Sequence, residues 1–205
     1  MAATIYLLRH AVTAATGTKL GGRTQAPLSD VGRGQAEATR DHLAGVDLKA
    51  VYASPLPRTT ETAEIVAKPH RLKVRPAEGV IEVDYGRWTD RPLKGLYTHK
   101  MWPVIQQTPS LVTFPEGESI RGAQERAVTE LEAIAARHDG NAIAVVSHAD
   151  IIKALVAFYA GMPLDAFQRI MINPASVTVL MTGRGARPAI VSCNHVPPAS
   201  SPSPS

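Results

Sequence analysis

The sequence predicts an α/β fold built on a mostly parallel sheet that helices cover on both faces. Three observations predict it. Short apolar runs alternate with helical stretches along the chain, as βα units require. The apolar runs are near-continuous rather than alternating, the pattern of strands buried on both sides. The chain has 205 residues, 44% hydrophobic and 20% charged, enough for one domain burying roughly 70% of the surface its unfolded form exposes.

The elements follow in order. IYLLR, residues 5–9, reads as a buried strand ending near Arg9. A polar Thr/Gly/Ala loop runs to Leu28, and Ser29 is placed to cap a helix reaching His42, with Asp30 in its first turn. AVYAS, 50–54, is a second buried strand; Pro55 and Pro57 lead into a helix over Arg58–Ala67, ended by Pro69. Residues 72–82 read as extended. The stretch 84–116, with several Pro and aromatic residues, reads as an irregular lid facing substrate, in which Trp88, Tyr97 and Trp102 serve packing. Ile120, Ala123, Ala127, Leu131 and Ile134 mark a helix from Ser119 to His138, with Gly140 as its C′ glycine. AIAVVS, 142–147, is a buried strand, and a helix follows over Asp150–Tyr159, with Asp150 read as its cap and Gly161-Met162-Pro163 as its end. SVTVLM, 176–181, is expected to pair with AIVSC, 189–193, through a glycine-containing turn at 183–185. The domain is expected to span 1–196, and the Pro/Ser-rich tail 197–205 to be disordered.

Composition excludes several functions. The 22 Lys+Arg exceed the 18 Asp+Glu by a formal charge of +4, but no basic run marks a nucleic-acid or membrane surface. No apolar run approaches the roughly 20 residues of a spanning helix. The opening MAATIYLLRH does not read as a secretory signal. The single cysteine, Cys193, excludes a disulfide framework and suits a reducing cytoplasm. It is also not followed by Arg six residues on, as a cysteine phosphatase needs; residue 199 is Ala. No phosphate-cradling G-x-x-x-x-G-K-[ST] loop or H-E-x-x-H cluster is present, so no metal or other cofactor is expected.

In a parallel sheet, ligands bind beyond the carboxyl ends of the strands. That rule selects Arg9-His10, Ser54 to Arg58 and Ser147-His148. Two histidines and two arginines converging on one crevice suit an anion: guanidinium groups offer a planar fork to phosphate, and a strand-to-helix turn at His148 adds backbone N–H groups. A neutral His10 is equipped to attack phosphorus directly. The leaving alkoxide then needs a proton from a carboxylic acid of raised pKa. His42, His70, His99, His138 and His195 read as surface or structural.

These segments resemble the histidine phosphatase superfamily, also called phosphoglycerate-mutase-like, from Leu7 to about Val179. LLRHAVT resembles the family's Arg-His-Gly box, ASPLPRTTETA the segment of its second arginine, EVDYGRW the stretch opened by its proton donor, and VVSHADIIKAL the segment of its second histidine; TQAPLSDVGRGQA and FPEGES match further. The resemblance implies a three-layer α/β/α sandwich and a metal-independent, two-step reaction through phosphohistidine. It implies His10 as phosphate acceptor, Glu82 as proton donor, and Arg9, Arg58 and His148 around the phosphoryl oxygens. It places substrate near Thr16, where the family usually has Asn in a loop one residue longer, near Gly22 and Arg23, and near the backbone N–H of Ala149. Ala11 stands where the family normally has Gly. The expected function is a phosphatase acting on a small phosphorylated metabolite. The alternatives are a phosphomutase using the same residues and a non-catalytic phospholigand-binding module, for which Ala11 is the only support. A homodimer is compatible with this reading; the oligomeric state and the identity of the substrate stay open.

Overall fold

The computed structural model describes residues 1–198. Its elements are β1 (Ala3–Arg9), α1 (Asp30–Leu43), β2 (Leu48–Ala53), α2 (Pro57–Ala67), β3 (Val74–Pro76), α3 (Leu93–Leu96), α4 (Trp102–Gln107), α5 (Ile120–Arg137), β4 (Ala142–Ser147), α6 (Ala149–Tyr159), β5 (Val177–Thr182) and β6 (Ala189–His195). Six strands form one sheet in the order β3-β2-β4-β1-β5-β6. The first four are mutually parallel; β5 runs antiparallel to β1, and β6 antiparallel to β5, so β5 alone is reversed. The sheet is therefore mixed, with a parallel centre and a hairpin at one edge.

Alternation along the central strands builds the layers. Ile5, Leu7, Ile143 and Val145 face a core shared with Leu131 and Ile134 of α5 and Ile151, Ile152 and Leu155 of α6. Leu8, Ala144 and Val146 face the other side, against Leu43 of α1 and Ala63 and Val66 of α2. This is the expected three-layer α/β/α sandwich. Apolar burial on both faces explains why β1, β2 and β4 were legible as continuous apolar runs.

Several local expectations need correction. Of residues 72–82 only Val74–Pro76 is strand; a 3-10 turn over Glu78–Val80 then redirects the chain toward the sheet's carboxyl edge. The stretch 84–116 is not irregular throughout but carries α3, α4 and two short 3-10 turns. Gly140 has φ +74, yet the C-cap of α5 is His138, so Gly140 lies one residue past the C′ position. Asp150 is not a cap: His148 occupies the N-cap position of α6 and Asp150 lies within the first turn. All but the first two residues of the tail 197–205 lie outside the described residues.

Local chemistry sets the entry of α1 beside the first strand. Ser29 caps the helix by accepting from the Gly32 N–H, while its own N–H and hydroxyl both donate to the Val12 carbonyl. A Cβ on Gly32 would lie 2.1 Å from that same oxygen, so only glycine permits this approach two residues beyond His10.

Candidate active site

The carboxyl ends of β2, β4 and β1 lie side by side, and each projects its chemistry-bearing residues from the same edge. The register pairs Ala53 with Val146 and Arg9 with Ser147. Beyond the last pairs, the Ser54 N–H donates to Val146 O (3.0 Å) and the His10 N–H to Ser147 O (3.0 Å). β1 ends with Arg9, so His10 beyond it is released from strand alternation, and the two residues line one cavity of about 250 Å³. Thr13, Thr16, Gly22, Arg58, Glu82, Tyr85, Ala149 and Asp150 share its walls.

His10 is fixed in one tautomer. Its Nδ1 lies 2.7 Å from the Ala11 carbonyl oxygen, an acceptor only, so the neutral ring carries its proton there. Nε2 keeps its lone pair and accepts from Arg58 Nε at 3.2 Å. Burial, then the charges of Arg58 and Arg9, hold the ring's pKa well below 6.5, so it is neutral near pH 7.

His148 is fully buried, directly against the cavity-lining residues His10, Arg58 and Glu82. Its Nδ1 lies 3.1 Å from Arg58 Nη2, which can only donate. The ring proton is therefore on Nε2 and is donated to Ser54 Oγ at 2.7 Å. Burial, followed by Arg58, lowers this pKa well below 6.5 as well. The two imidazole centroids are 5.2 Å apart. One guanidinium thus spans both rings, and it is held in turn by the carbonyls of Gly22 (2.6 Å) and Thr24 (3.0 Å). Gly22 supplies its carbonyl from φ +52, where a Cβ would meet Thr89 Oγ1 at 2.9 Å. Arg9 Nη1 donates to Ile172 O at 2.6 Å, and its buried Nε has no hydrogen-bond partner among the described residues.

Glu82 is 7% exposed, with Oε1 accepting from the Val83 N–H at 3.0 Å and Oε2 at 4.0 Å from His148 Nδ1. Burial first, and the charge of Asp150 second, raise its pKa to about 7 against the opposing pull of Arg58. The rival carboxylate Asp84 is outside the cavity, paired with Arg23 at 3.4 Å and accepting from the Gly86 N–H.

Thr16, Gly22 and Ala149 line the cavity; Thr16 Oγ1 accepts from the Thr13 N–H at 2.9 Å. Arg23 does not line it. Its Nε donates to the Glu82 carbonyl (3.1 Å) and its Nη2 to Glu118 (3.1 Å), so it braces the segment that presents Glu82. Ala11 does not crowd the site either. It is fully buried beside Leu28, Ala36 and Ala175, so the methyl joins a small apolar cluster instead of the cavity.

Sequence reasoning missed the residues that hold these groups in place. Arg126 makes five hydrogen bonds: to the carbonyls of Gly79, Ile81 and Glu82 and to both oxygens of Glu118. Glu118 in turn accepts from the Asp84 N–H. Asp150, taken for a cap, accepts from the Tyr85 hydroxyl at 2.8 Å and from Lys153 at 3.2 Å. The second glutamate of FPEGES was the available signal for the Glu118 brace.

Residues 5–195 match the sequence profile of the Histidine phosphatase superfamily (branch 1). The chain belongs to this family. Phosphoserine phosphatase 1 of Hydrogenobacter thermophilus is 30% identical over 156 residues, 75% of this chain and 74% of that protein. The 2,3-bisphosphoglycerate-dependent phosphoglycerate mutase of Thermoplasma acidophilum is also 30% identical, over 157 residues covering 75% and 73% of the two chains. Among solved structures, Bacillus stearothermophilus YhfR superimposes with a TM-score of 0.88 at 27% identity, covering 95% of this histidine phosphatase and 98% of its own chain. Both a hydrolase and a mutase therefore stand among its relatives. Among the described residues, no helix is long and apolar enough to cross a membrane.

Proposed function

We propose that this histidine phosphatase hydrolyses a small phosphorylated metabolite through a phosphohistidine at His10. The observation that carries the reading is the state of His10: a neutral ring, its proton fixed on Nδ1, with the Nε2 lone pair beside two arginines at a cavity wall. In the first step the Arg58 Nε–H leaves Nε2 for a phosphoryl oxygen, the freed Nε2 lone pair attacks phosphorus, the ester P–O bond breaks, and the departing alkoxide takes the Glu82 proton. Arg9 and Arg58 stabilise charge gathering on the phosphoryl oxygens, worth on the order of 3 kcal/mol per well-placed donor. His148 acts on the phosphoryl site through Arg58, whose Nη2 it holds. In the second step the Glu82 carboxylate takes a proton from water. The water oxygen attacks phosphorus, the P–N bond breaks, and inorganic phosphate leaves. A pKa of about 7 lets one carboxyl group give and then retrieve that proton. A mutase differs only in offering a second hydroxyl in place of water. A cytoplasmic setting fits the single free thiol of Cys193.

The test is direct. His10→Ala should abolish turnover of 4-nitrophenyl phosphate, and alkaline quench of the wild type should trap an acid-labile phosphoryl group on His10 by mass spectrometry. Turnover by the variant near the wild-type rate would overturn the assignment. A parallel assay for phosphoryl return to a second hydroxyl separates hydrolase from mutase.

A further inference from the structure

A second cavity, of about 370 Å³, adjoins the first. The two share Arg9, Leu20, Tyr85, Leu93, Ala149 and Asp150 in their walls. An organic group leaving from a phosphorus at His10 therefore has continuous space into this annex.

The chemistry of the annex differs from that of the phosphoryl site. Its distinctive walls are Trp88, Tyr97, Trp102 and Phe114. Trp88 and Phe114 are buried and meet edge-on, with centroids 5.7 Å apart, and Phe114 meets Tyr85 edge-on at 4.9 Å. They form a fixed floor. Tyr97 and Trp102 contact at 4.9 Å, and Tyr97 is 54% exposed, so this pair forms a rim. The lid aromatics that the sequence assigned to packing therefore also face a void contiguous with the candidate active site.

Within the annex the Lys153 ammonium and the Asp150 carboxylate offset each other, and Arg9, at the boundary with the first cavity, is the remaining cation. Asp150 accepts from Tyr85 at one oxygen and from Lys153 at the other, and Lys153 also donates to Gln168 Oε1 at 3.1 Å. In the phosphoryl cavity, Lys19 pairs with Asp90 at 3.0 Å. This leaves Arg9 and Arg58 to the phosphoryl group. With Arg9 on the phosphoryl group, a carboxylate on the leaving group would meet only the Lys153 ammonium, already held by Asp150 and Gln168, and burying an unpaired charge is strongly disfavoured. An aromatic ring would meet edges and faces of other rings at the separations they favour.

From this we infer that the preferred substrate is the phosphomonoester of an uncharged alcohol carrying an aromatic ring, with the ring seated against Trp88, Tyr97, Trp102 and Phe114. The inference rests on the phosphatase reading and departs from phosphoserine and phosphoglycerates as substrates, since both carry carboxylates.

The experiment compares kcat/KM for 2-phenylethyl phosphate, ethyl phosphate, O-phosphoserine and 3-phosphoglycerate. All four release an alkoxide, so leaving-group reactivity does not decide the order. The expected result is a kcat/KM for 2-phenylethyl phosphate at least tenfold above each of the others, carried mostly by KM. In Tyr97→Ala and Trp102→Leu that preference over ethyl phosphate should fall toward one. A wild-type ratio near one, a preference for phosphoserine or 3-phosphoglycerate, or an undiminished ratio in both variants overturns the annex assignment while leaving the phosphatase reading intact. Absence of turnover with all four esters overturns the phosphatase reading itself.

Discussion

Replacing Glu82 by glutamine should stabilise the protein, and only at neutral to alkaline pH. The folded chain lifts this carboxyl from 4.5 to about 7, chiefly because burial disfavours its charge. The sign follows from that direction. Below about 4.5 the group is protonated whether the chain is folded or not, and the burden is absent. As pH rises, the unfolded chain ionises first, and the folded state falls progressively behind until about 7. With 7% exposure little solvent relieves the charge, and the full burden is on the order of 3 kcal/mol. Glutamine mimics the protonated form: its carbonyl oxygen keeps the bond from the Val83 N–H, and nothing ionises. A difference of that size corresponds to roughly 6–12 °C in Tm for a chain of this length. Thermal melts of wild type and Glu82→Gln at pH 4.5 and pH 8, in phosphate-free buffer, read it directly. The two should coincide at pH 4.5, and the variant should melt higher at pH 8. An equal offset at both pH values, or none at pH 8, would refute the claim that the site stores a buried carboxyl at the expense of stability.

Further expectations concern turnover. Glu82→Gln should slow phosphoenzyme formation far more for alkyl than for nitrophenyl phosphates, because only the poor leaving groups need its proton; rapid-quench rates that fall equally for both would remove the acid role. In the wild type, kcat/KM for an alkyl phosphate should decline above pH about 7 as Glu82 ionises, and stay level below 6.5 until His10, whose pKa lies well under that value, gains its proton. Arg126→Met should lower kcat by about 100-fold with little change in KM, since loosening the segment that carries Glu82 misplaces the acid without touching substrate; partial recovery in Arg126→Lys separates bracing from bulk, and a change confined to KM contradicts it. Turnover should survive EDTA, because His10 provides the nucleophile and Arg9 and Arg58 the positive charge; loss restored by a divalent cation would contradict the mechanism.

The parts of this molecule set by short-range rules could be read from its residues. β1, β2 and β4 announce themselves because each is buried on both faces, and Ser29 announces a helix start because a hydroxyl is needed there. The positions of His10, Arg58 and His148 then followed from the rule that ligands gather past strand ends, and family resemblance supplied Glu82. What could not be read depends on partners far along the chain. Arg23 looked like a substrate contact, yet the carbonyl of Glu82, 59 residues away, claims its guanidinium. Asp150 looked like a cap because nothing local reveals that Tyr85, 65 residues upstream, donates to it. The extended reading of 72–82 missed the turn at Glu78–Val80 because Val80 and Ile81 are equally apolar in strand and turn. Ala11 looked obstructive because its neighbours Ala36 and Ala175 come from distant segments that leave room for one methyl.

Arg58 shows how little freedom this design leaves at one codon. A single flat cation touches both rings and two loop carbonyls, so a lysine there, with its compact ammonium, could satisfy one or two of those partners but not all four. Drift at this position has no gentle intermediate. A descendant that gave it up would lose the nucleophile's orientation and the inner histidine's anchor in one event, and would survive, if at all, as a protein of some other trade.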